Sequence, residues 1–239
     1  MANVKPQIIL GGWDPGTHNA DLAKARRRLT AGKAYADLST VCVIPTRGMI
    51  PARIVESWWG LMSPMNAKFT RLMVKGMEVG DAYNAAVELI LGHPELSGWK
   101  YMLTLEEDNA PPPDGLIRLL EAAEANPQYS AIGGLYWTKG EAGQPMIYGN
   151  PKLPLAFTPQ VPIPNTVQET NGLGMGFTLF RLDQFRTLPK PWFVTKQADG
   201  GQWTQDLWHF ANVRKAGLRV ACHTGVKVGH FDAPNDRMW

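Results

Sequence analysis

The sequence contains few cysteines and no long hydrophobic run. Two of its 239 residues are cysteines, Cys42 and Cys222, and each lies in a short apolar stretch, which favours buried free thiols in a reducing compartment over a disulfide. No apolar stretch approaches the roughly 20 residues that a membrane-spanning helix requires. The first apolar stretch is too short for a signal peptide. These absences lead us to expect a cytoplasmic protein with no membrane span.

Several common site motifs are also missing. The glycine-rich segment GLGMG (172–176) lacks the spacing and the downstream acid of a dinucleotide-binding loop, and there is no Walker lysine. No Cys/His cluster has zinc-ligand spacing, and no G-x-S-x-G nucleophile elbow occurs. What remains for chemistry is a set of carboxylates, a histidine near the end of the sequence, and an acid at a helix start.

Charge is nearly balanced overall but unevenly distributed. The net charge is +3, and residues 1–40 hold six Lys/Arg against three Asp, whereas the remainder holds 18 residues of each sign. Two interpretations of this basic surplus are open. It is either the solvated face of a helix near residues 20–32 or a patch that meets a polyanion such as nucleic acid.

From residue 39 onward, apolar and turn-forming segments alternate in the pattern of an α/β protein. Residues 1–38 are interpreted as a basic N-terminal extension and residues 39–239 as a single domain. The pattern predicts strands over 39–47, 67–76 and 129–137 and within 171–181 and 218–232, and helices over 51–62, 80–91, 114–127 and 204–217. This β-α-β order indicates a mostly parallel central sheet flanked by helices, with 67–76 near an edge. The Pro- and Gly-rich segment 138–170 is interpreted as a long functional loop.

The most informative segment is WKYMLTLEEDN (99–109), in which an apolar stretch ends in Glu106, Glu107 and Asp108. Its apolar part is typical of a central parallel strand, and open α/β sheets bind ligands at the carboxyl ends of such strands. Three carboxylates placed there repel one another and lose solvation, so we expect a cation and an anionic ligand at this edge. The plainer alternative is that the acids begin a solvated loop.

Six segments, in this order, resemble those of the GT-A class of nucleotide-sugar glycosyltransferases, in particular the small soluble bacteriophage-type members of its family-2-like group. They are VCVIPTR (41–47), GDAYNAA (80–86), LEED (105–108), NGLGMGF (171–177), TQDLWHFANVRKAG (204–217) and VKVGH (226–230). The resemblance covers residues 39–232 and implies a GT-A, Rossmann-like domain. For a phage-encoded member the compartment is the host cytoplasm.

The resemblance implies a site for a nucleoside-diphosphate sugar, with UDP as the expected nucleotide. Asp108 and His230 are the implied ligands of a divalent cation, Mn²⁺ or Mg²⁺, that bridges the two phosphates. Glu106 is expected near the ribose or a metal-bound water. The other residues assigned to donor or cofactor binding are Thr46, Arg47, Asp81, Asn84 and Gly174. Tyr83 stands where the family has an arginine before Asn84.

Asp206 is the implied general base. It lies in the first turn of a predicted helix, where the dipole favours the ionised form. A carboxylate that accepts the proton of an acceptor hydroxyl fits a single displacement with inversion. Plainer interpretations stay open: Asp206 as an ordinary helix acid, His230 as a structural histidine, and Gly174 as a turn residue.

The predicted function is metal-dependent transfer of a sugar to a hydroxyl group. The acceptor candidates are a hydroxymethylated pyrimidine of DNA, flipped out of the duplex, and a hydroxyl of a glycan or protein. Two other classes are weighed. One is a sugar nucleotidyltransferase, whose usual glycine-rich loop is reduced to one glycine in VCVIPTRGMIP; the other is a non-enzymatic carbohydrate- or nucleic-acid-binding module that uses some of the nine tryptophans.

Overall fold

A computed structural model of the chain describes residues 37–65, 67–198 and 201–239. The predicted basic extension, with its helix near 20–32, lies outside the described residues except for its last two positions. Within the described ranges, every helix is too short or too polar to cross a membrane.

The described ranges contain fourteen strands and five helices. In chain order the strands are β1 (Thr40–Thr46), β2 (Phe69–Lys75), β3 (Tyr101–Leu105), β4 (Asn109–Ala110), β5 (Tyr129–Leu135), β6 (Ile147–Tyr148), β7 (Val167–Thr170), β8 (Gly172–Leu173), β9 (Phe177–Arg181), β10 (Lys196–Ala198), β11 (Gly201–Trp203), β12 (Arg219–Lys227), β13 (Gly229–Asp232) and β14 (Arg237–Met238). The helices are α1 (Ala52–Gly60), α2 (Val79–Gly92), α3 (Gly115–Ala125), α4 (Gln184–Thr187) and α5 (Gln205–Lys215). Short 3₁₀ turns lie at Leu96–Gly98 and Ala233–Asn235.

Seven strands form the central sheet, in the order β2–β1–β3–β9–β5–β12–β7. Five of them run parallel to one another, and β9 and β7 run antiparallel to their neighbours. The predicted mostly parallel α/β sheet is therefore confirmed, and β2 lies at its edge as expected. The sequence does not predict the antiparallel β9 between β3 and β5, because a strand buried on both faces has the same apolar pattern in either direction.

The four helices predicted after residue 39 are present, with ends shifted by one or two residues. Helix α2 has an N-cap that the sequence analysis does not single out: the carboxylate of Glu78 accepts hydrogen bonds from the N–H groups of Gly80 and Asp81, at 2.7 and 3.2 Å. Thr204 occupies the N-cap position of α5. The segment 138–170 contains the short strands β6 and β7 and is otherwise irregular.

The two faces of the sheet are covered by different helices. On β1, Val41 and Val43 belong to the core beneath α2 and α5, whereas Cys42 and Ile44 belong to the core beneath α1 and α3. Because both faces are covered, every residue of β1 is buried, which explains its continuous apolar run. Cys42 and Cys222 are both free and buried, as predicted. Burial raises the pKa of the Cys42 thiol to about 12.

Candidate active site

A pocket of about 370 Å³ opens at the carboxyl edge of the central sheet. Residues at the ends of β1 and β3 and at the starts of α2 and α5 surround it. Its lining residues are Pro45, Thr46, Arg47, Met77, Glu78, Val79, Glu106, Glu107, Asp108 and Gln205. The three acids predicted at the end of β3 therefore line one pocket together with Thr46 and Arg47, at the edge where open α/β sheets bind ligands.

Glu107 fastens the end of β1 to the end of β3. Its carboxylate accepts hydrogen bonds from the Thr46 hydroxyl (2.8 Å), from the Arg47 backbone N–H (2.9 Å) and from Arg47 Nε. Burial by itself raises the pKa of Glu107, but these hydrogen bonds outweigh it and the pKa is lowered. Arg47 is thus tethered at Nε, while its side chain remains 87% exposed at the pocket mouth. Sequence reasoning gave Glu107 no role; in the structure it fixes Thr46 and Arg47.

Glu106 is hydrogen-bonded to a buried tyrosine and is repelled by two other carboxylates. Its Oε1 accepts a hydrogen bond from the hydroxyl of Tyr83, a buried residue of α2, at 3.1 Å. Desolvation, and then repulsion by the carboxylates of Asp108 and Asp206, raises the pKa of Glu106 to about 8. Neither Asp206 of α5 nor His230 is among the residues that line the pocket, although Gln205, the neighbour of Asp206 in the chain, is.

Asp108 is the acid with cationic partners. Its Oδ2 accepts a hydrogen bond from Lys139 Nζ at 2.6 Å and lies 3.4 Å from His230 Nε2. His230 Nδ1 lies 2.7 Å from the carbonyl oxygen of Trp137; since a carbonyl only accepts, Nδ1 carries the proton and Nε2 faces Asp108. Burial by itself raises the pKa of Asp108, but the contacts with His230 and Lys139 outweigh it and lower the pKa to about 2. Asp108 is therefore ionised at neutral pH.

The donor atoms of Asp108 and His230 suit a divalent cation. A carboxylate oxygen beside an imidazole nitrogen is a ligand pair that Mn²⁺ accepts readily, and Mg²⁺ binds the carboxylate. Among the described residues, no group of three or more His, Cys, Asp or Glu is placed to hold an ion. A cation bound here would complete its coordination with water and with oxygens of a bound phosphate. The described residues therefore fit an ion whose coordination is completed from outside the protein rather than one held in a closed protein cage.

Asp206 lies in the first turn of α5 and is buried. Its Oδ1 accepts hydrogen bonds from the hydroxyl of Thr204 and from the N–H of Leu207, the latter at 2.8 Å. Burial has the largest effect on its pKa and raises it, against the effect of these hydrogen bonds. The position of Asp206 in the first turn of a helix predicts that the dipole favours the ionised form. The net shift is in the other direction, because desolvation outweighs the favourable contacts.

Asn84 and Asp81 lie in α2 and are not among the residues that line the pocket. Asn84 Nδ2 donates to the carbonyl of Phe193 at 2.7 Å, and its Oδ1 accepts from the N–H groups of Trp192 and Phe193 at 3.0 and 3.2 Å. Asp81 is exposed, and its backbone N–H is bound by Glu78. The amide of Asn84 therefore fastens a neighbouring chain segment to α2, apart from the predicted diphosphate contacts.

The glycines of NGLGMGF allow close packing within the protein. A Cβ atom on Gly174 would collide with the hydroxyl of Tyr136, and one on Gly176 would collide with the side chain of Asn109. The Tyr136 hydroxyl in turn accepts a hydrogen bond from the N–H of Gly176 at 2.9 Å. Gly174, predicted to contact the donor, is not among the residues that line the pocket. The space left by its missing side chain is occupied by Tyr136.

Lys139 is one of several residues of this site that the sequence did not predict, with Glu78 and Gln205 of the pocket lining among the others. It lies in a tight turn in which the N–H of Thr138 donates to the carbonyl of Gln144 at 2.9 Å and the N–H of Gln144 donates to the Thr138 hydroxyl at 2.8 Å. The one available signal was composition, since Lys139 lies at the start of the Pro- and Gly-rich segment interpreted as functional. Its partner Asp108 is 31 residues away in the chain, and no local pattern joins the two.

Comparison with known proteins supports the fold. No protein-family model and no curated protein matches the chain. Among solved structures it is similar to A197 from STIV, at 19% identity and a TM-score of 0.60, over 84% of this chain and 93% of that one. Weaker similarities are to UDP-glucose pyrophosphorylase complexed with UDP-glucose (13% identity, TM-score 0.47, 82% of this chain and 93% of that one) and to CMP:2-keto-3-deoxy-manno-octonic acid synthetase complexed with CTP (13%, 0.43, 79% and 90%). At this level of identity the likeness to A197 shows the shared α/β fold alone.

Proposed function

We propose that the protein is a metal-dependent glycosyltransferase that moves a sugar from a nucleoside-diphosphate sugar to an acceptor hydroxyl with inversion. The observation that carries this proposal is the grouping of Glu106, Glu107 and Asp108 in the lining of one pocket, with Asp108 between Lys139 and His230. Gln205, the residue before Asp206, also lines this pocket. Gathering three partly or fully buried carboxylates is costly unless their charge is used, and such groupings are enriched at functional sites. A module that only binds carbohydrate has no evident need of it.

The donor is proposed to bind between the end of β1 and the acids after β3. Arg47, tethered by Glu107 at Nε, has its remaining guanidinium N–H groups available for the nucleotide. Thr46 is held beside it by its hydrogen bond to Glu107. Asp108 and His230 would hold Mn²⁺ or Mg²⁺, which supplies Lewis acidity that stabilises negative charge on the departing diphosphate. UDP is the nucleotide proposed for the first tests.

Asp206 is proposed to accept the proton of the acceptor hydroxyl while that oxygen attacks the anomeric carbon of the sugar. The bond from the anomeric carbon to the diphosphate oxygen breaks in the same step, its electron pair leaves with the diphosphate, and the configuration inverts. The raised pKa of Asp206 supports this role, because base strength increases with pKa. The hydrogen bonds to Oδ1 orient the carboxylate.

The acceptor is proposed to be a hydroxymethylated pyrimidine of DNA. The distribution of charge supports this acceptor. The excess of Lys and Arg over acidic residues lies within residues 1–40, and a cluster of cations suits a polyanionic acceptor. The reacting base would be flipped from the duplex to present its hydroxyl. Hydroxyls of glycans and proteins are the comparison acceptors.

The test is release of nucleoside diphosphate from a panel of nucleotide sugars, with Mn²⁺ or with excess chelator, and with or without hydroxymethylated DNA. We expect release that requires both the metal and an acceptor, with the sugar recovered on the acceptor. Absence of nucleotide binding and of release with every donor would exclude the enzyme. Release of pyrophosphate from a nucleoside triphosphate and a sugar phosphate would instead identify a nucleotidyltransferase.

A further inference from the structure

Lys139 places a positive charge on the oxygen atom that the proposed metal would use. Its Nζ lies 2.6 Å from Asp108 Oδ2, and the same oxygen lies 3.4 Å from His230 Nε2. The side chains of Lys139 and Asp108 are 33% and 25% exposed, so the pair is partly shielded from water. The charge of Asp108 is therefore balanced by the protein itself.

The lysine and the histidine are positioned by one short segment of chain. The carbonyl of Trp137 binds His230 Nδ1, and Trp137 forms a β-bridge with Pro145 that closes the turn carrying Lys139. Hydrogen bonds between Thr138 and Gln144 secure the turn inside this bridge. Because the backbone is held at both ends while lysine has a flexible four-carbon side chain, the ammonium can leave Asp108 without unfolding the turn.

We propose that Lys139 is a built-in cation that is exchanged for the divalent ion. It neutralises Asp108 in the empty site, is displaced when a metal binds Asp108 and His230, and then pairs with the diphosphate. This inference rests on the proposed function, since it assumes a metal and a nucleoside diphosphate at Asp108. Its physical basis is repulsion: an ammonium and a divalent ion do not share one carboxylate oxygen without a large electrostatic cost.

The exchange couples the two ligands. Metal that arrives alone has to expel the ammonium into water, so Lys139 weakens metal binding in the absence of nucleotide. A diphosphate offers the expelled ammonium a new partner, because lysine binds phosphate as a compact point charge. Lys139 therefore opposes the metal alone and favours the diphosphate once the metal is present, which makes metal and nucleotide binding cooperative.

The test is Lys139→Gln in the full chain, with Mn²⁺ alone and then with UDP at saturating Mn²⁺ as probes. We expect Mn²⁺ to bind about tenfold more tightly to the variant and UDP to bind about tenfold more weakly, as loss of one partly shielded ion pair implies. Free Mn²⁺ is measured by electron paramagnetic resonance, and UDP binding is measured by calorimetry.

Lys152→Gln, in the same irregular segment, should change neither affinity. Lys139→Arg, which keeps the charge, should leave Mn²⁺ affinity near the wild-type value and covers the case in which the glutamine variant does not fold.

The outcomes separate this inference from the proposed function. Unchanged or weaker Mn²⁺ binding to Lys139→Gln, with wild-type binding of Mn²⁺ and UDP, overturns the exchange alone and leaves the function standing. Tight Mn²⁺ binding to the variant and none to the wild type supports the exchange in its strongest form. Failure of both proteins to bind Mn²⁺ overturns the exchange and removes the metal from the proposed function.

Discussion

The side chain of Asp206 offers a way to separate catalysis from structure. Both hydrogen bonds to its carboxylate, from Thr204 and Leu207, are made to Oδ1. An asparagine in its place retains a carbonyl oxygen that can accept both, so the start of α5 should keep its shape. What asparagine lacks is the ability to take up a proton.

We expect Asp206→Asn to lower turnover by about 10²- to 10⁴-fold, the usual contribution of a general base, with little change in UDP affinity. Turnover is measured as nucleoside diphosphate release and affinity by calorimetry in the presence of Mn²⁺. Asp183→Asn is the control, since that carboxylate is 93% exposed and pairs with Arg186 on the surface. A fall in UDP affinity that matches the fall in turnover would show that Asp206 is a ligand of the donor instead.

Protonation of Glu106 makes the free energy of unfolding depend on pH. Its pKa is 4.5 as an ordinary carboxyl and about 8 in the folded protein, so the folded state binds more protons between these values. The free energy of unfolding therefore falls as the pH rises from about 4.5 to about 8. Glu106→Gln does not titrate and keeps an acceptor for the Tyr83 hydroxyl. Its stability relative to wild type should therefore increase by a few kcal/mol between pH 5 and pH 8. Urea unfolding of both proteins at pH 5 and pH 8, without metal, measures this; the same pH dependence in both would contradict it.

At the scale of the secondary-structure elements, the glycine segment before β9 is closely packed. We expect Gly174→Ala to destabilise the protein by about 1–3 kcal/mol, because the added methyl group collides with the buried hydroxyl of Tyr136. In a Tyr136→Phe background the same substitution should cost less, since that oxygen is gone. A double-mutant cycle by urea unfolding measures the coupling, and strict additivity would argue against the contact. Gly92→Ala, at a position with open space around it, should have little effect.

The elements that could be predicted from sequence are those with a strong local signal. The apolar run and the acids of 99–109 predicted both β3 and the edge at which the pocket lies. Helical periodicity placed α2, α3 and α5 within one or two residues. The direction of β9 could not be predicted, because it depends on which neighbours the strand pairs with rather than on its own residues.

The contacts of individual site residues could likewise be predicted only where a local sequence pattern carries them. The proximity of Asp108, Glu106 and Thr46 follows from the ends of adjacent parallel strands. The contacts of Lys139 with Asp108 and of Asn84 with Phe193 join segments 31 and 109 residues apart, and only the folded chain brings them together. Burial also reversed the expected pKa shift of Asp206, and burial of one side chain is a property of the whole core.

For the whole molecule, charge separates the chain into two unlike parts. Residues 1–36 hold six Lys/Arg and two Asp, a net charge of +4, and residues 37–239 hold 18 Lys/Arg and 19 Asp/Glu, a net charge of −1. A near-neutral domain gains little attraction to DNA from its own surface. If DNA is the acceptor, the N-terminal cations are the source of the affinity, and that affinity depends on salt through release of counterions.

Replacing Arg26, Arg27 and Arg28 together by Gln should therefore weaken retention on DNA and flatten its dependence on salt. Each lost phosphate contact lowers the slope of log K against log salt concentration by about 0.9, so the triple variant should lose up to about 2.7. The matched control replaces the same three residues by Lys, which keeps the charges and should keep the slope. These residues lie outside the described ranges, so the expectation depends on their charge alone. If the glutamine and lysine variants show the same slope, the acceptor should be sought among uncharged glycans and protein hydroxyls instead of DNA. Binding of the donor at the pocket should be the same in wild type and in both variants.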